Sequence, residues 1–278
     1  MKNIFDKVSF DTSKNTTRKY STSFSFGIFC LNKKLHSDIY NIYGFVRIAD
    51  EIVDSFHDFQ KKELLDEFKE ETYKSIARGI STNPILNSFQ YTVNKFNIKK
   101  ELIDCFLDSM YMDLEGRNYD KYSYDKYILG SAEVVGLMCL QVFTNGNEEE
   151  YQKLKPYAMK LGSAFQKINF LRDLNADYFQ LGRMYFPNID LESFNACTKQ
   201  QIEKEIKAEF DEALIGIMKL PKSSRFGVYV AYIYYISLFQ KIKASTSAQL
   251  LSSRIRIPNY QKISLLAESY FKYTLNLI

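Results

Sequence analysis

The chain has 278 residues, of which 46% are hydrophobic, with 22 Phe, 21 Tyr, no Trp and a formal net charge of +4. At this length about 70–75% of the unfolded surface can be buried, and five Pro and 11 Gly leave few interruptions to long helices. The charge is mild and no Lys/Arg cluster is interleaved with a nucleic-acid-reading motif, which argues against a nucleic-acid partner.

In chain order, MKNIFDKVSFDTSKN carries charges every few residues and no apolar run. It reads as a polar segment without a signal peptide, and a cytoplasmic location is expected. YSTSFSF follows, a hydroxyl-rich turn whose Ser21, Ser23 and Phe24 suit the start of a helix. Apolar periodicity predicts helices over about 37–56, 61–79, 84–96, 99–113, 124–144, 148–180, 199–219, 224–243 and 259–276, with Asp38 in the first turn of the first. Linkers are short and polar, such as 79–84, 144–149 and 187–198. No segment alternates with period two, no repeat appears and no domain boundary is found, so a single all-α domain over 1–278 is expected. Cys30, Cys105, Cys139 and Cys197 stand far apart and read as reduced core filler. The uncharged run 226–240 has 15 residues, short of the roughly 20 that span a bilayer.

Two segments carry acidic pairs four residues apart: Asp50/Asp54 in VRIADEIVD and Asp173/Asp177 in QKINFLRDLNAD. Residues four apart on a helix stack one turn above another, so each pair can aim its carboxylates from one face. The spacing alone is weak, because Asp104/Asp108 shares it. Context separates them. At about 100° per residue, Arg47, Asp50 and Asp54 share one stripe, although a solvent-facing salt-bridge stripe would explain that equally well. In the second segment Gln166, Asn169, Asp173 and Asp177 cluster on one side, while Leu161, Phe165, Ile168, Leu171 and Leu174 fill the rest. Carboxylates on a buried helix need positive partners, and hard oxygen ligands favour Mg²⁺ shared with phosphate oxygens. Arg172 beside them, and Arg183 and Tyr185 in GRMYFP, offer donors to phosphate. In YILGSAEVVGLMCL, Gly130 and Gly136 suit either close helix packing or the wall of a channel. From Lys241 to Ile278 six basic residues face one glutamate, which suits a solvated face or a surface drawn to anionic lipid or diphosphate.

YSTSFSF, VRIADEIVD, YILGSAEVVG, QKINFLRDLNAD and GRMYFP, in this order, resemble the squalene/phytoene synthase family over roughly residues 17–258. The GSAEVVGLM stretch looks most like phytoene synthases. The resemblance implies an all-α isoprenoid-synthase fold around a deep central cavity, with the two aspartate helices facing each other across its mouth. It also implies Asp50, Asp54, Asn169, Asp173 and Asp177 as ligands of Mg²⁺ (or Mn²⁺), with no redox cofactor. Arg47, Gln166, Arg172, Arg183 and Tyr185 would hold diphosphate, and Ser21, Ser23, Phe24 and Tyr127 would line the reacting end. Either Arg254 or Arg256 would supply a late basic residue. The implied reaction joins two geranylgeranyl diphosphates head to head, through a cyclopropylcarbinyl diphosphate, to phytoene. The alternative is a squalene or dehydrosqualene synthase acting on farnesyl diphosphate. A greasy substrate and product imply peripheral contact with the cytoplasmic membrane. Two departures stand out: relatives commonly carry His and a basic residue where this chain has Tyr20 and Thr22, and many have Gly in place of Glu133.

Overall fold

The computed structural model describes residues 1–115, 119–187, 189 and 194–275. Thirteen α-helices are found among them: α1 (Lys2–Tyr20), α2 (Thr22–Phe29), α3 (Lys33–Ser55), α4 (Lys61–Arg78), α5 (Pro84–Phe96), α6 (Lys100–Glu115), α7 (Lys121–Ile128), α8 (Val134–Phe143), α9 (Glu148–Phe179), α10 (Ala196–Lys219), α11 (Lys222–Ala244), α12 (Ser247–Ser252) and α13 (Asn259–Thr274). A π-helical turn, Leu129–Glu133, joins α7 to α8.

Local chemistry sets the boundaries. Asn83 caps α5 ahead of Pro84 at its first position, and Asn147 caps α9 with Glu148, Glu149 and Glu150 in the first turn, where the helix dipole favours acids. Gly79 ends α4 at φ 71°, a left-handed conformation open to glycine without penalty.

The core divides into two walls. On one side α3, α4, α5, α6 and α8 pack around Phe45, whose ring lies flat on Phe89 at 3.8 Å between centroids. On the other, α9, α10 and α11 pack around Phe210 and Phe239. A cavity of about 1310 Å³ runs between the walls.

Four sequence expectations change. The polar N-terminal segment is helical: α1 buries Ser9, Ser13 and Thr17 along one stripe, and Ser13 Oγ lies 2.6 Å from Ser88 Oγ. Its periodicity is carried by small hydroxyls, which permit closer packing than apolar side chains would; a Cβ on Gly44 would lie 2.7 Å from Ser13 Oγ. The α3 helix starts at Lys33 under an Asn32 cap, so Asp38 is no first-turn acid; it is buried and accepts from Lys95 (2.8 Å) and Thr92 (3.2 Å). The short α12 was not expected, and the expected helix over 124–144 is α7, the π turn and α8. Cys197 is exposed, whereas Cys30, Cys105 and Cys139 are partly buried. Within the expected linker at 187–198, residues 188 and 190–193 lie outside the described residues, and α10 already begins at Ala196.

Lys121–Phe143 is long and apolar enough to cross a bilayer, but half of its apolar window is buried in the protein, where it forms cavity wall. Within it, the π turn places Ser131 and Ala132 on the cavity. Gly130 is needed for packing, because a Cβ there would lie 2.5 Å from the Cys105 carbonyl oxygen; Gly136 lines the cavity.

Candidate active site

Both acidic pairs face the same cavity. Asp50 and Asp54 approach its mouth from α3, and Asp173 and Asp177 from the last turns of α9. The alternative of a solvent-facing stripe on α3 is thereby excluded. Asp104 and Asp108, with the same spacing, instead serve the surface: Asp104 accepts from Tyr73, and Asp108 pairs with Lys69.

Arg183, just past α9, joins the two sides. It is 5% exposed, and its Nη1 reaches Asp54 at 2.6 Å and Asp113 at 3.6 Å. Burial outweighs this partner at Asp113 and pushes that carboxyl up to about 6. Burial, then Asp173 and Asp54, push Asp177 up to about 8. Asp50 is also raised, by burial and by Asp54, against the pull of Arg47. Carboxylates crowded in this way remain unsatisfied even with arginines beside them, which fits a site that takes a further cation. Among the described residues no three acidic, His or Cys side chains converge tightly enough to hold an ion alone. An ion here would therefore complete its shell with ligand oxygens and water, as Mg²⁺ commonly does.

The arginines are pre-set by their neighbours. Arg47 donates to Asp50 at 2.5 Å and to Glu51, and its guanidinium lies 4.3 Å above the Tyr20 ring. Tyr20 thus gives the site no cation of its own but helps to aim one. Arg172 donates to Asp173 through Nε at 3.1 Å, and Arg254 Nε reaches the same carboxylate at 2.6 Å. Arg254, then, meets the second acidic pair; Arg256 also lines the cavity, but its carbonyl is taken by Lys241.

Below the charged rim the walls turn aromatic. Phe165 stacks on Tyr235 at 3.8 Å, and Phe24 leans on Tyr43, Phe165 and Tyr235. Ser21 caps α2 by accepting from the Phe24 N–H at 3.2 Å, which places Phe24 on the cavity together with Ser23. Asn169 donates to Gln166 (3.3 Å) and accepts from the Tyr235 hydroxyl (3.2 Å). Tyr127 and Tyr185 line the cavity too, but their hydroxyls donate to Asp113 at 2.7 and 2.8 Å.

Asp113 is the hub that sequence reasoning misses. A signal was present: it follows Phe106 by seven residues and Met110 by three, so it continues the buried stripe of α6 with a carboxylate. Tyr43 and Tyr235 carry no such signal, since an aromatic on an apolar face is ordinary core. Glu133 is not on the cavity wall. Burial pushes it up to about 7, and the charges acting on it are those of Glu209, Lys160, Lys167 and Asp125.

Residues 17–261 match the family described as squalene/phytoene synthase. The chain belongs to that family. Phytoene synthase 1, chloroplastic, from Solanum lycopersicum is 26% identical over 259 residues, which cover 85% of this chain and 61% of the relative. The 4,4'-diapophytoene synthase of Staphylococcus haemolyticus (strain JCSC1435) is 26% identical over 194 residues, covering 68% of this chain and 65% of the relative. The chain thus spans a little under two thirds of these curated relatives. Among solved structures, a dehydrosqualene synthase in complex with ligand superposes with a TM-score of 0.80 at 20% identity, covering 97% of this chain and 98% of that one. The squalene synthase HpnC from Alicyclobacillus acidocaldarius follows at 0.74 and 22%, covering 87% and 95%. These likenesses establish the isoprenoid-synthase fold expected from the motifs.

Proposed function

We propose that this protein joins two prenyl diphosphates head to head, and that its substrate is geranylgeranyl diphosphate and its product phytoene. The observation that carries the reading is the meeting of Asp50/Asp54 and Asp173/Asp177 across one cavity mouth, tied by Arg183. Mg²⁺ or Mn²⁺ ions held by Asp50, Asp54, Asn169, Asp173 and Asp177 would neutralise the leaving pyrophosphate.

The chain's own residues do the rest. Arg47, Arg172, Arg183 and Arg254 draw negative charge from the diphosphates, and the first C–O bond breaks as that charge is taken up. The double bond of the second molecule attacks the allylic cation, a proton leaves, and a cyclopropylcarbinyl diphosphate results. Loss of the second diphosphate, rearrangement and loss of another proton give the hydrocarbon, with no reductant needed. Phe24, Phe165 and Tyr235 exclude water and offer π-faces to the cations.

The C20 choice is supported by the GSAEVVGLM stretch and by a plant phytoene synthase matching 85% of the chain. A C15 substrate is the second reading, favoured by equal identity to the diapophytoene synthase. Supplying purified protein with labelled C15 and C20 diphosphates and reading product mass decides between them; exclusive use of C15 overturns the C20 assignment. Peripheral membrane contact belongs to the same reading, supported by Tyr260, Ile263, Tyr270 and Phe271 exposed on α13. Liposome flotation tests it: protein that stays at the bottom with and without anionic lipid contradicts it.

A further inference from the structure

The structure brings an amine to the cavity mouth, beside Thr22, from the far end of the chain. Lys262, in the first turn of α13, is only 9% exposed, and its Nζ donates to Thr22 Oγ1 at 2.5 Å. It lines the cavity mouth together with Ser21, Ser23, Arg172 and Arg254. Its situation differs from that of the arginines there. Arg47, Arg172, Arg183 and Arg254 each contact a carboxylate, whereas among the described residues none pairs with Lys262. Burial, and then the positive charge of Arg172, lower its pKa. Holding a buried ammonium beside a guanidinium without a counter-ion is unfavourable, and the arrangement makes sense where an anion fills the gap. The N-terminus of α13 adds to the pull, because no side chain caps its first N–H groups and Asn259 also lines the cavity.

We propose that Lys262 is a diphosphate-binding residue, supplying from α13 a cation beside the Thr22 hydroxyl of α2. Naming the ligand rests on the function proposed above, and both free and prenyl-linked diphosphate present the chemistry the site would recognise.

The test uses the full chain with Mg²⁺ and inorganic diphosphate as the probe, read by calorimetry and thermal shift, alongside KM for the prenyl diphosphate that is turned over. For Lys262→Met, diphosphate affinity falls and KM rises about 10–100-fold, as expected for loss of one charge-assisted contact. Without ligand the variant melts no lower than the parent, because a buried unpaired charge has gone. Adding Thr22→Lys restores most of the affinity. A variant that melts lower yet binds diphosphate as the parent does shows a purely structural lysine and overturns the assignment. So does failure of Thr22→Lys to recover any affinity lost. If the parent binds diphosphate but turns over neither C15 nor C20 substrate, while Lys262→Met weakens binding, the proposed reaction fails and the residue assignment stands. If the parent is active and Lys262→Met changes neither affinity nor KM, the reverse holds.

Discussion

At the cavity mouth α3 and α9 bring acidic side chains of like charge together under arginines; roughly 30 Å back along α9, the same helix presents Leu154, Tyr157 and Ala158 to an end walled by Ala213, Gly216 and Gly227. The mouth is organised against its own stability. Asp177 and Asp113 are held at about 8 and 6 because burial disfavours their charge, and Arg183 offsets only part of that cost. The deep end has no charge to satisfy and is shaped by small residues where helices approach closely: a Cβ on Gly216 would lie 2.1 Å from that of Tyr157. One region is crowded with charge that its arginines only partly offset, the other is apolar and closely packed.

The sharpest way to break the mouth is to neutralise its second acidic pair. Asp173→Asn with Asp177→Asn should reduce turnover by about 10³-fold or more, as when the groups stabilising developing charge are lost, with the far-UV helical signal unchanged. Retained activity would remove these residues from the chemistry. Removing the bridge comes next. Arg183→Leu leaves Asp113 and Asp54 without their cation, and denaturant unfolding should show a loss of about 3–5 kcal/mol; adding Asp113→Asn should recover part of it. At the deep end, Ala213→Leu lengthens a wall side chain, and the ratio of C20 to C15 turnover should fall by about 10-fold at a stability cost of about 1–3 kcal/mol. An unchanged ratio would mean that the tail ends elsewhere.

The smallest effect concerns Glu133, outside both regions. Its folded pKa of about 7 lies above its ordinary value of 4.5, so the folded state binds the extra proton between these values. Its contribution therefore favours folding at low pH and is lost as pH rises from 4.5 towards 7. Glu133→Gln should raise the melting temperature at pH 8 more than at pH 5; a uniform shift would place the effect elsewhere.

The mouth was legible in the sequence less from the acidic spacing, which Asp104/Asp108 shares, than from QKINFLRDLNAD, which displays four polar groups on one side of an otherwise apolar helix. The helical class was legible from the apolar periodicity. Other features were not, for reasons visible in particular residues. The α1 helix buries hydroxyls rather than hydrocarbons, so its period is invisible to a hydrophobicity pattern. Asp113 lies outside every motif and was marked only by continuing the buried stripe of α6, and Lys262 meets Thr22 across 240 positions of sequence. The deep end is built mainly of Gly, Ala and Leu, the residues of any helical core, so periodicity gave no sign of its depth.

The central claim is that both acidic pairs act on the same divalent ions across one chamber. Titrating Mn²⁺ into the protein with an unreactive thiolo-diphosphate analogue, and following free Mn²⁺ by electron paramagnetic resonance, tests it directly. Asp50→Asn with Asp54→Asn, and separately Asp173→Asn with Asp177→Asn, should each lower Mn²⁺ affinity and the number of ions bound. If removing the α3 pair leaves both quantities as in the parent, the two sides do not share the ions and the account is contradicted.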